Sequence, residues 1–258
     1  MAQIHIINLK DVESRRVFMI RQMKSLGLRY EFFEAIKGCS LTDDELSEKV
    51  DMTEVTKYPT WLTRNMLGAA LSHMGVYKRI VNSSADWHLI LEDDVVLEAN
   101  INQAINLITN NSEMFRTHLI LFYGISLEGP VTLSKEPLLS DKNYSIHHVL
   151  TKDIGGAGAY MIHRDTARLL LENNKIIKVA PDTWNFFRGQ GAISQIDCIS
   201  PFVARPGFFE STIGYTNPSS YRYKIKHLID RYKIPGLYQL LRRNRKKIWE
   251  KTSKVFFK

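Results

Sequence analysis

Cysteine is nearly absent from this 258-residue sequence, with only Cys39 and Cys198, far apart in the chain. Two such residues make neither a disulfide framework nor a zinc-ligand pattern, and they read as reduced, partly buried thiols. No run approaches the roughly 20 consecutive apolar residues that a membrane span requires. The opening Met1-Ala2-Gln3-Ile4-His5-Ile6-Ile7-Asn8 has neither the charged start nor the long apolar stretch of a signal peptide. These features predict an intracellular protein, soluble or attached to a membrane at its surface. Internal repeats and low-complexity segments are also missing from residues 1–220. Gly155-Gly156-Ala157-Gly158 lacks the Gly-Lys-Ser/Thr ending of a phosphate-binding P-loop and the setting of a dinucleotide fingerprint, which excludes kinase and NAD readings.

What is present is an uneven charge. The net +8 divides into −3 over residues 1–220 and +11 over residues 221–258, where 13 basic residues face two acids. Read as a whole the surplus suggests nucleic-acid binding; read locally it describes a mildly acidic body with a basic tail and no nucleic-acid motif. At 44% hydrophobic and 24% charged, the chain has the composition of a globular protein with one sizeable core.

Ile4–Asn8 is a short apolar run with the character of a buried strand. A helix capped by Asp11 or Ser14 follows until Gly27, then a strand over Tyr30–Ala35. This β-α-β opening argues for an α/β fold with a mainly parallel central sheet. Helices are expected over Asp43–Lys49, Leu62–Val81, around Ile101–Ile108 and over Thr166–Leu171, and strands over Asp86–Leu91, His118–Tyr123 and Ala157–Ile162. Residues 124–146 read as loop.

The most informative position is Leu89-Ile90-Leu91-Glu92-Asp93-Asp94. Three adjacent carboxylates raise one another's pKa unless a cation neutralises them. At the carboxyl end of a buried strand they lie where open α/β sheets place ligands. Alternation lets Glu92 and Asp94 converge on one ion while Asp93 points away. A hard divalent cation held by one or two carboxylates takes its remaining ligands from a diphosphate. A solvated strand end or a helix cap is the competing reading.

Around the triplet stand Ile7-Asn8-Leu9 with Arg15-Arg16, Phe33-Glu34-Ala35-Ile36-Lys37-Gly38, and Gly68-Ala69-Ala70-Leu71-Ser72-His73. Gly156-Ala157-Gly158-Ala159-Tyr160 and Pro181-Asp182 follow it. This ordered set, spanning about residues 3–215, resembles glycosyltransferase family 25, the bacterial lipooligosaccharide galactosyltransferases and related enzymes. The resemblance implies a GT-A-like nucleotide-sugar fold, an inverting metal-dependent hexosyl transfer, a UDP-sugar donor (UDP-galactose before UDP-glucose), and Mn²⁺ or Mg²⁺. It assigns Glu92 and Asp94 to the metal. Asn8, Leu9, Arg15, Arg16, Asp93, Gly156 and Ala157 fall to the nucleotide sugar, and Asp182 and His73 to catalysis, Asp182 as general base. Asn65, Met66, Leu67, Gly68 and Ala69 stand where the family usually has Gly-Glu-Ile-Gly-Cys, and Lys37 where an Asp is common.

Each assignment has a structural alternative. Asp182 after Pro181 suits a helix N-cap, His73 and Tyr160 suit core positions, and Arg15 and Arg16 suit a solvated helix. The basic segment 221–258 places Leu237, Leu240, Leu241, Ile248 and Val255 at helical spacing among cations. That pattern fits an amphipathic helix on an anionic membrane, near a lipooligosaccharide or other glycolipid acceptor on the cytoplasmic face of the inner membrane. The predicted division is a transferase domain over 1–220 and a membrane-surface tail over 221–258. The non-enzymatic alternative is a membrane-attached, carbohydrate-binding relative of such enzymes.

Overall fold

The computed structural model describes residues 2–58, 62–207, 209, 225, 228–230 and 232–258. Its first half runs β1 (Gln3–Asn8), α1 (Glu13–Ser25), β2 (Glu31–Glu34), α2 (Asp43–Lys49), α3 (Met52–Val55), α4 (Arg64–Val81), β3 (Trp87–Glu92), β4 (Val95–Leu97) and α5 (Ile101–Thr109). There follow β5 (His118–Leu121), β6 (Val131–Leu133), β7 (Leu139–Ser140), β8 (Ser145–His148), β9 (Ala159–His163), α6 (Arg164–Asn173), α7 (Trp184–Gly189), β10 (Gln195–Ser200) and β11 (Ala204–Pro206). The chain closes with α8 (Leu237–Thr252) and β12 (Val255–Phe257).

Eight strands form one sheet in the order β2-β1-β3-β9-β5-β10-β8-β7. The expected mainly parallel sheet is corrected to a mixed one. β1 pairs in parallel with β2 and β3, and β5 with β10, whereas β9 lies antiparallel between β3 and β5. Segment 124–146, read as loop, contributes β6, β7 and the start of β8. These strands are too short to show alternation. The N-cap residue of α1 is Val12, which supplies no side-chain cap, so neither Asp11 nor Ser14 fills that role. By contrast α4 is capped by Thr63, whose hydroxyl accepts from Met66 N, and α2 carries a full Thr42–Glu45 capping box.

Period-two alternation sorts the strands onto two faces. Ile4, Ile6, Leu89 and Leu91 pack with Met19 and Met23 of α1 and Ile101, Ile105 and Ile108 of α5. Ile7, Ile90, Leu119, Leu121 and Tyr160 pack with Val76, Tyr77 and Ile80 of α4, Leu170 of α6 and Trp184 of α7. Fully burying one such aliphatic side chain contributes about 1.5–3 kcal/mol, so the two faces carry most of the fold's stability.

Gly38, before α4, and Gly68, within it, also have a packing explanation. A Cβ at Gly68 would meet Gly38 N at 2.5 Å and Ile36 O at 2.6 Å, and one at Gly38 would strike the Arg64 carbonyl. Only glycine allows this approach of α4 to the loop after β2. Ser72 fastens it, accepting from Ile36 N at 2.8 Å and donating to Gly68 O at 2.7 Å.

Candidate functional site

The carboxyl ends of β1 and β3 and the loop entering β9 meet at one edge of the sheet, because β9 runs antiparallel to its neighbours. A cleft of about 660 Å³ opens at this edge, among α1, the loop after β2, α4, and the Glu92–Asp94 segment. Leu9, Arg15, His73, Glu92, Asp93 and Asp94 all line it.

Glu92 ends β3, and Asp93 and Asp94 form the turn into β4, so this turn, not strand alternation, sets the directions of the three acids. Asp93 turns inward, accepting from Asn8 Nδ2 at 2.7 Å and Arg15 Nη1 at 2.8 Å. Glu92 and Asp94 keep 30% and 28% of their side chains exposed, against 10% for Asp93. Arg15 Nη1 also lies 3.4 Å from Asp94 Oδ2. Burial, with Glu92 and Asp93 beside it, pushes the Asp94 carboxyl up to about 7 despite Arg15. Asn8 is buried, so its role is to hold Asp93, and Arg16 stacks over Phe32 at 3.8 Å while donating to Asn8 Oδ1. Asn8 and Arg16 do not line the cleft.

His73 reaches the acids from α4. Its Nε2 lies 3.5 Å from Glu92 Oε1, and its Nδ1 is 2.7 Å from the Tyr160 hydroxyl. That hydroxyl is 2.7 Å from the hydroxyl of Tyr77. Tyr160 is fully buried, so it supports His73 rather than offering a surface to a sugar.

Asp182 stands behind the Gly155–Gly156 turn, accepting from Gly156 N at 3.3 Å. Its carboxyl pKa is raised, first by burial and then by the charge of Glu92, with the Gly156 bond and His73 opposing. Gly156 has φ +114, a conformation glycine adopts without strain. Gly156, Ala157 and Asp182 lie outside the main cleft. Tyr123 lies between them and the triplet. It is buried, and burial together with Glu92, Asp94 and Asp182 raises its pKa. The aromatic side chains that follow Asp182 are largely internal, since Trp184 and Phe187 are buried.

Several lining residues carry no sequence signal. Phe209 stacks edge-on against Phe18 at 5.1 Å, and Asp230, Lys233 and Tyr238 reach the cleft from the C-terminal segment. That segment is built onto the body. β12 pairs with β6, and Trp249 of α8 packs edge-on against Tyr123 at 5.3 Å. Tyr238, Leu241, Arg245, Trp249 and Thr252 form the more protected stripe of α8, and Leu237, Leu240 and Ile248 stay exposed. The predicted boundary at residue 220 falls outside the described residues, as do 221–224.

Among the described residues, no group of three or more His, Cys, Asp or Glu side chains is arranged to enclose a metal ion. The oxygen pair Glu92 and Asp94 does fit the open kind of site in which a hard cation takes two carboxylates and shares the rest of its ligands with a phosphate. Two half-buried neighbours of like charge, incompletely offset by Arg15, are the observation that favours it.

Residues 1–184 match the family model of glycosyltransferase family 25, described as an LPS biosynthesis protein, and the chain belongs to this family. Procollagen galactosyltransferase 1-A of Xenopus laevis is 25% identical over 183 residues, covering 69% of this chain and 29% of that protein. The chain thus spans less than a third of such relatives. A Haemophilus influenzae protein named "Putative glycosyltransferase" is 25% identical over 248 residues, covering 89% of this chain and 84% of its own length. Among solved structures, a glycosyltransferase acting in glycosylation of the PBCV-1 major capsid aligns over 94% of this chain and 98% of its own, at 10% identity and a TM-score of 0.38.

Proposed function

We propose that the chain moves a hexose, galactose from UDP-galactose foremost, onto a hydroxyl of a glycan acceptor with inversion at the anomeric carbon. The cleft that ends in Glu92, Asp93 and Asp94 carries this reading: its lining holds five carboxylates against Arg15, Lys37 and Lys233. An anionic diphosphate enters such a cleft together with a cation. The galactose assignment is supported by relatives named procollagen galactosyltransferases. A GT-A-type arrangement is in keeping with ligand binding at the strands' carboxyl edge.

Mn²⁺ or Mg²⁺ held by Glu92 and Asp94 would offset charge developing on the leaving diphosphate. The protein's own groups supply the remainder. Arg15 locks Asp93 and so fixes the backbone that presents its two neighbours. His73, held by Tyr160, faces Glu92 and orients it. Asp182, its pKa raised by burial, would serve as general base for an acceptor hydroxyl brought to the Gly155–Gly156 turn, beside the cleft and past Tyr123. Its bond from Gly156 N steadies the carboxylate.

The acceptor class is a lipooligosaccharide or other glycolipid, which matches the family description as an LPS biosynthesis protein. Leu237, Leu240 and Ile248, exposed on α8 beside Arg243, Lys247 and Lys251, are suited to an anionic membrane surface, which would be the cytoplasmic face of the inner membrane. A nucleotide-sugar panel read by thermal shift, with and without Mn²⁺, tests the donor. UDP-galactose should raise the melting temperature most, and a panel without any shift removes the reading.

A further inference from the structure

The charges of the cleft do not all cancel internally. Arg15 is taken by Asp93 and Asp94, Lys37 is paired with Asp11, and Asp230 receives two bonds from Arg245. Of the cations lining the cleft, only Lys233 is left without an acidic partner among the described residues.

Its backbone is equally unusual. Lys233 has φ 47 and is the one described non-glycine residue with a positive φ. It ends a helical turn whose closing bond runs from Ile234 N to Ile229 O at 3.2 Å, the position where a helix terminus ordinarily carries glycine. Glycine would hold this turn with less strain, so local stability gives no reason for a lysine here. Strain retained beside a ligand cleft points to use of the side chain.

The segment bearing it is also anchored. Asp230 grips Arg245 of α8, Trp249 of α8 rests on Tyr123, and β12 extends β6. We propose that Lys233 binds the diphosphate of the donor, so that the C-terminal segment completes the donor site instead of serving only as an anchor. This rests on the nucleotide-sugar reading above.

The test uses full-length Lys233→Gly and Lys233→Arg proteins titrated with UDP and separately with inorganic pyrophosphate, in Mg²⁺, by calorimetry, alongside thermal unfolding. Lys233→Gly should melt at or above the wild-type temperature, because the turn is relieved, yet bind both ligands about tenfold more weakly, the loss expected for one charge-assisted contact. Lys233→Arg should regain most of that affinity. Unchanged affinity in Lys233→Gly, or a lowered melting temperature with no rescue by arginine, overturns the proposal. Wild-type binding of pyrophosphate but not UDP, weakened in Lys233→Gly, keeps the lysine's role and removes the nucleotide. A wild type that binds neither overturns both.

Discussion

Arg15 and Asp93, 78 residues apart, meet inside the protein with Nη1 2.8 Å from Oδ1 and side chains only 8% and 10% exposed. Removing one partner of a buried pair strands the other charge, at a cost of about 3–5 kcal/mol. Arg15→Ala should therefore lower unfolding free energy by about 3 kcal/mol or more in urea titration. A loss below about 1 kcal/mol would show that Asp93 does not depend on Arg15.

Tyr160 joins His73 to Tyr77 through one hydroxyl. Tyr160→Phe leaves a buried imidazole nitrogen and a buried phenol each short of a partner, and should cost about 1–3 kcal/mol. Tyr77→Phe, which leaves the Tyr160–His73 contact in place, should cost less. Equal effects of the two substitutions on stability contradict a chain ordered in this way.

His88 is buried and neutral. Its Nε2 donates to Ala85 O at 3.0 Å, and its Nδ1 accepts from His5 Nε2 at 2.9 Å. Burial lowers its pKa from 6.5 to about 4. Between those values the unfolded chain takes up a proton that the folded protein refuses, so stability falls as pH drops from about 6.5 to about 4. The loss is about 3 kcal/mol across that window for this one ring. Ring-proton NMR should show no His88 titration near pH 6.5; an ordinary titration there would contradict the assignment.

Exposed Leu240 and Ile248 lie outside the protected stripe of α8. The double substitution Leu240→Asp and Ile248→Asp should leave thermal stability within about 0.5 kcal/mol, as surface changes do. It should also abolish flotation with phosphatidylglycerol-containing liposomes. Flotation equal to that of the wild type would remove α8 as the membrane contact.

The sequence reveals some of these relationships and hides others for physical reasons. β1 and β3 are legible as apolar runs, whereas the directions of Glu92, Asp93 and Asp94 are set by the turn after β3 and by Arg15, which the run of acids alone does not reveal. The antiparallel insertion of β9 is not legible, because pairing direction depends on partners distant in the chain. Arg15 resembles a nucleotide contact until the fold brings Asp93 to it. Tyr123, Asp230 and Lys233 leave no local signature; a cation in a segment of net +11 looks like any other. Gly38 and Gly68 read as family motifs, and the structure explains both as a close backbone approach.

The most direct test of the account is release of UDP from UDP-galactose in Mn²⁺, with and without a glycan acceptor, compared among wild type, Asp94→Ala and Asp182→Asn. The account predicts metal-dependent release by the wild type and loss of the metal-dependent part in Asp94→Ala. In Asp182→Asn, transfer should fall by at least about 100-fold, as loss of a general base predicts. Metal-dependent turnover surviving in Asp94→Ala, or near-normal transfer by Asp182→Asn, would contradict it.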